Sequence, residues 1–183
     1  EQALEELQAV SVQPGFVPLK VALLGEIYMV LEPKVNFEME RTLGRMGVEV
    51  ERTIHFTDWA YETLLLSIIQ PNWRRKYQLM ARPYLENFVG GHGVETVAHT
   101  VEAGINHFHG VIELAPFTCM PEIIAMQALP AVSRDLNIPV LSVIIDEHSA
   151  EAGIQTRLEA FIDLLNYRRR PNPCLSREAV LGR

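Results

Sequence analysis

Cysteine is scarce in this chain, and so are the patterns that usually advertise a site. Two thiols in 183 residues, Cys119 and Cys174, cannot build a disulfide framework. Neither belongs to a CxxC pair, no HExxH is present, and the six histidines are scattered, so the sequence holds no self-contained zinc signature. His107-Phe108-His109 brings two imidazoles close in sequence without the ligand spacing of a zinc site. Uninterrupted apolar runs of the roughly 18 residues needed to cross a bilayer are also missing. The opening EQALEELQ has neither a basic nor an apolar segment of the kind that targets a chain for secretion, which favours a cytoplasmic setting. That start lacks a Met and is polar and helix-like, as expected of a piece cut from a longer protein.

Positive charge is in short supply over most of the chain. The net charge is -7. From Arg168 onward five Arg stand against Glu178 alone, or +5 - 1 = +4, so the remainder carries -7 - 4 = -11. Such a body is a poor partner for duplex DNA, whose nonspecific affinity comes from neutralised phosphates. The Arg-rich end reads as a solvated tail, with phosphate or RNA binding as the alternative.

What the chain does have is alternation. At 48 % hydrophobic and 21 % charged it can bury one sizeable core. Short runs rich in Val, Ile and Leu recur at 20–25, 48–54, 110–116 and 139–146, and each reads as a strand buried on both faces. Helical periodicity fills the intervals: 35–47 with Gly47 as its stop, a helical insertion over 58–69 and 72–88 broken at Pro71 and Pro83, then 94–105, 121–136 and 156–169. Strand alternating with helix predicts a three-layer α/β domain of Rossmann-like or flavodoxin-like kind, with a mostly parallel sheet of about four strands. The lobe spans residues 19–168, between an N-terminal linker or helix (1–18) and the Arg-rich tail (169–183).

A parallel sheet delivers every strand-to-helix loop to one edge, where α/β proteins bind ligands. Four loops qualify: 25–28, 55–59, 115–121 and 146–149. With the first and third strands central, Glu26 and Cys119 would face one another, and Asp146, Glu147 and His148 would stand nearby. Cys119 precedes Met120-Pro121, so it falls at a helix N-cap, where unpaired backbone N–H groups favour a thiolate. Packing is the plain alternative. A hydrolase triad of Cys119 with His148 as base and Asp146 or Glu147 as orienter has the right residue types, but no nucleophile-elbow sequence surrounds the thiol. VGGHGVE (89–95) reads as a helix-to-helix turn, with anion binding as the alternative. Thr156 and Glu159 fit a capping box, which makes 146–155 a long loop.

The segments GEIYMVLEPKVNFEMERTLGRMGVEV and FTCMPEIIAMQALPAVSRDLNIPVLSVIIDEHSAEAGIQTRLEAFIDLL resemble the 2-hydroxyacyl-CoA dehydratase and benzoyl-CoA reductase subunit superfamily. Within it they are most similar to the CoA-substrate-specific enzyme activases, also called 2-hydroxyglutaryl-CoA dehydratase activator-like proteins, and to the double-cubane cluster proteins. The resemblance covers roughly residues 19 to 168. It implies α/β lobes that together hold an iron-sulfur cluster of the 4Fe-4S kind, fed with low-potential electrons by an ATP-hydrolysing activator and acting on acyl-CoA substrates. It makes Cys119 the cluster ligand, with Glu26, Glu147 and His148 as catalytic or substrate-side candidates. A cubane needs about four ligands. One thiol in the lobe therefore implies that other domains of a parent chain complete the site, and that the lobe alone holds no intact cluster. The alternative is a noncatalytic docking module, or a domain that binds CoA or its phosphates.

Overall fold

The computed structural model describes residues 4–6, 15–55, 57 and 74–170. Its elements run β1 (Leu19–Gly25), α1 (Ile27–Leu31), α2 (Met39–Arg45), β2 (Val48–Arg52), α3 (Arg75–Ala81), α4 (Gly93–Ile105), β3 (Gly110–Pro116), α5 (Met120–Asp135), β4 (Val140–Ile145) and α6 (Glu151–Arg169). All three strand pairings are parallel, in the order β2-β1-β3-β4. The chain is thus a three-layer α/β protein with a four-stranded parallel sheet in flavodoxin-like order, as its alternating periods predict. The predicted helix over 58–69, the first two residues of the one predicted over 72–88, Pro71 and Cys174 lie outside the described residues.

Register explains the layers. Leu19, Val21 and Leu23 of β1 join Ile112 and Leu114 of β3 and Val143 and Ile145 of β4 on one face, and α1, α2 and α6 cover it with Val30, Met39, Leu43, Ile154, Leu158, Phe161 and Leu165. Ala22, Leu24 and Val111 turn to the other face, against Ala103 of α4. There α4 packs on α5 through Val94, Val97, Val101, Ala125 and Leu129, with Ala81 of α3 outside them.

Burial separates the strands more sharply than composition does. The central strands β1 and β3 are enclosed almost throughout, whereas VEVER of β2 alternates buried and exposed and β4 leaves Ile144 open to solvent. The reading of all four runs as buried on both faces thus holds for β1 and β3 only. The cause is position: an edge strand has a neighbour on one side, and the helices centre on the middle of the sheet.

Two helix starts differ from expectation. The helix expected over 35–47 begins at Met39, because Phe37 and Glu38 adopt left-handed backbone conformations. Asn36, almost fully buried, holds that turn: its Nδ2 donates to the Met29 and Val30 carbonyls at 2.9 and 3.2 Å, and its Oδ1 accepts from the Met39 N–H at 3.2 Å. The last helix starts earlier than Thr156. It begins at Glu151, and the Thr156 hydroxyl donates to the Ala152 carbonyl at 2.9 Å within the helix, so no capping box forms. The loop after β4 is correspondingly short.

Candidate functional site at the carboxyl edge of the sheet

In this order the succession of strands across the sheet reverses between β1 and β3, and the crevice beyond their C-terminal ends is where open α/β sheets take ligands. The sequence puts Gly25-Glu26 on one side of that crevice and Phe117-Thr118-Cys119 on the other. They are held close. The Glu26 N–H donates to the Leu114 carbonyl at 2.9 Å, and the Phe117 N–H donates to the Ile145 carbonyl at 2.9 Å, tying the loop after β3 to the end of β4. Gly25 makes the approach possible, since at φ 126° a Cβ there would lie 2.1 Å from the Leu114 oxygen.

Cys119 occupies the N-cap of α5 with an extended backbone, is half-buried, and makes no capping hydrogen bond with its side chain. Thr118 before it sits in the left-handed region at φ 68°. A β-carbon there costs energy that only the surrounding loop repays. The thiol stands amid apolar side chains turned to solvent: Phe117 and Met120 are 63 % and 65 % exposed, Ile123 on the next turn 38 %, and Tyr28 across the crevice 58 %.

The other candidates are occupied with local structure. The Glu26 carboxylate accepts from the Met29 N–H at 3.0 Å as the N-cap of α1. Asp146 accepts from the Ser149 hydroxyl at 2.8 Å and from the His148 N–H at 3.0 Å, and these bonds, the hydroxyl's foremost, hold its pKa below the usual carboxylate value. Glu147 and His148 are both strongly exposed and pair with each other at 3.7 Å. A triad needs the base to meet the thiol and the orienter to meet the imidazole. Among the described residues no bond joins the His148 ring to the thiol, and that ring meets an orienter only in the solvent-exposed 3.7 Å pair with Glu147, since Asp146 bonds the backbone of His148. The remaining loop, after β2, is described only at His55 and Thr57.

The histidine and glycine motifs turn out to be structural. His109 Nδ1 accepts from the Lys20 N–H at 2.9 Å at the opposite edge of the sheet, and Lys20 lies over the Phe108 ring at 4.4 Å. In VGGHGVE, a Cβ on Gly93 would lie 2.4 Å from the Pro121 carbonyl oxygen. That glycine lets the start of α4 abut the start of α5. Among the described residues no three His, Cys, Asp or Glu side chains come together as a metal site.

Beneath the Cys119 loop lies a feature that sequence reasoning missed. Glu113, in the middle of β3, and Glu122, three residues after Cys119, are both fully buried. Glu122 accepts from the Thr96 hydroxyl at 3.0 Å, while its other oxygen and both oxygens of Glu113 have no hydrogen-bond partner. Burial pushes the Glu113 carboxyl up to about 7, with Ser142 offsetting a little. Burial pushes Glu122 to about 8, against the pull of Thr96 and with help from Glu113, Glu26 and Glu95. A lone Glu inside GVIELAP, a run otherwise enclosed on both faces, was the available signal.

No family model matches the chain, and no curated protein matches its sequence. Among the described residues no helix is long and apolar enough to cross a membrane. Fold and edge geometry define the class: a parallel α/β protein of flavodoxin-like order with one half-exposed helix-end thiol at the carboxyl edge of its sheet.

Proposed function

We propose that this chain is one lobe of an iron-sulfur protein of the 2-hydroxyacyl-CoA dehydratase and activase-like kind. In this reading it works in the cytoplasm, in ATP-driven low-potential electron transfer or acyl-CoA chemistry, and lends Cys119 to a cluster completed by another lobe. The observation that carries the reading is the setting of that thiol. It caps a 16-residue helix beside the β1/β3 crevice, inside a rim of exposed Phe117, Met120 and Ile123. Apolar side chains gathered around a polar centre are the usual mark of a surface that a partner covers.

The residues described do not fit a whole cluster. A cubane takes about four ligands, mostly thiolates, and Cys119 is the one cysteine among the described residues, with no second metal-binding side chain grouped around it. The lobe therefore carries no catalytic step by itself, and Glu26, Glu147 and His148 stay candidates for substrate contact only. When bound, a cluster would supply one-electron transfer; the chain supplies a ligand and an apolar rim. The test is anaerobic reconstitution of this lobe together with its natural flanking sequence, followed by iron analysis. Loss of about a quarter or more of the bound iron in Cys119→Ser supports the reading. Equal loading overturns it.

The exposed rim equally suits a noncatalytic docking module, which would cover Phe117 and Met120 and hold no iron. A CoA or phosphate site is less well served here, since the Glu26 side chain already occupies the start of α1 as its N-cap, where an anion would sit. A thermal-shift titration with CoA and acyl-CoA esters decides that point: stabilisation that grows with ligand concentration favours binding, and none at millimolar ligand counts against it.

A further inference from the structure

The carboxyl groups of Glu113 and Glu122 have no evident role in the crevice, yet their burial is complete and their bonding is not. Glu113 projects from β3 onto the face covered by α4 and α5, as its strand neighbour Val111 does. Glu122 reaches inward from the first turn of α5. The groups that face them are Thr96 and Glu95 from α4, Ser142 from β4, and Glu26 from the loop after β1. Arg74 stands 3.6 Å from Glu95, with a side chain more open to solvent than the enclosed pair. Of the described donors around the pair, only the Thr96 hydroxyl makes a bond of good geometry.

Two carboxylates in such a place would both be charged, uncompensated and out of water, which costs far more than protonating them. A metal ion would answer the charge, but the three-ligand grouping it needs is absent among the described residues. The ligand that the enclosure admits is a proton. We propose that Glu113 and Glu122 form a buried proton-binding pair, and that its protonation seats the first turn of α5 on α4 and β3. With the protons on, each carboxyl becomes a donor as well as an acceptor, and the turn that follows Cys119 packs closely. With the protons off, the two charges repel, and the turn can relieve them only by moving Glu122 toward water. The seating of the Cys119 loop thereby becomes sensitive to pH. Nothing in this depends on iron, so its test uses the metal-free chain.

The experiment is a carboxyl NMR titration of the chain labelled with 13C at the glutamate side-chain carbons, with amide exchange followed in parallel. Two carboxyls are expected to titrate near pH 7 and pH 8, at the values set by burial. Glu113→Gln and Glu122→Gln should each remove one of them. Thr96→Val, which deletes the single good hydrogen bond to Glu122, should raise the upper transition by about half a unit or more. Exchange of the amides from Glu122 to Ala125 should quicken above the upper transition, relative to those of α6. Should either Gln variant fail to fold, the wild-type titration and Thr96→Val still decide the matter. The proposal is overturned if every glutamate titrates below about pH 5.5, or if Thr96→Val leaves all transitions in place.

Discussion

Single residues carry more of this fold than their share of the sequence suggests. Gly25 is the clearest: its φ is positive, and any β-carbon there would stand 2.1 Å from the Leu114 oxygen, which leaves no room for a side chain. Gly25→Ala should cost at least about 2–3 kcal/mol, read as a lowered urea midpoint, because the backbone strain and the clash add. Asn36 makes three bonds at the turn into α2. Asn36→Ala should cost about 1–3 kcal/mol, since the freed Met29 and Val30 carbonyls and the Met39 N–H have no substitute donor or acceptor in a buried site. At this scale the sequence was only partly readable. Cys119 at its N-cap followed from Pro121 two residues on. Asn36 did not, because its partners are set by a left-handed pair, Phe37 and Glu38, that no periodicity announces. Glu113 stood in plain view inside GVIELAP, but a charged residue in an apolar run is normally an edge or a solvent-facing position. Only the helices over β3 make it buried.

Among the elements, the strands were the most legible and their rank in the sheet the least. VEVER reads as a strand buried on both faces, yet β2 alternates and exposes one side at the edge of the sheet. PVLSVIID reads as fully buried, yet β4 is an edge, and its open side shows only once the sheet order is known. Thr156 and Glu159 illustrate the opposite failure. The spacing matches a capping box, but the helix that starts at Glu151 had more to gain by continuing, and it places Ile154 and Leu158 in the core. Packing overrode the local signal. The length of α6 therefore yields a prediction of its own: Ile154→Ala, at a buried side chain in the stretch that a capping box at Thr156 would leave as loop, should cost about 2–5 kcal/mol in equilibrium unfolding. Were that residue part of a solvated loop, the loss would be near zero.

For the whole molecule, alternating strands and helices were enough to place the crevice between the loops after β1 and β3, and the structure puts Glu26 and Cys119 on its two sides. Charge governs its response to pH. Glu113 and Glu122 have folded pKa values above their unfolded ones, so their neutral forms favour the fold at low pH, and stability drains as pH rises from about 4.5 through about 8. His99 works the other way. Burial lowers its pKa despite the Glu102 carboxylate 3.3 Å away, so its contribution is lost as pH falls below the ordinary histidine value. Wild type should accordingly unfold at lower urea near pH 9 than near pH 6, and the double variant E113Q/E122Q should flatten that decline. A wild-type midpoint that rises toward pH 9 would contradict it.

Whether Cys119 is a cluster ligand is tested most directly by thiol protection. The lobe with its natural flanking sequence is alkylated anaerobically before and after iron-sulfur reconstitution, and the Cys119 peptide is quantified by mass spectrometry. The half-exposed thiol should label readily without iron and be protected once the cluster is in place. Equal labelling of Cys119 in iron-free and iron-loaded protein would contradict the account.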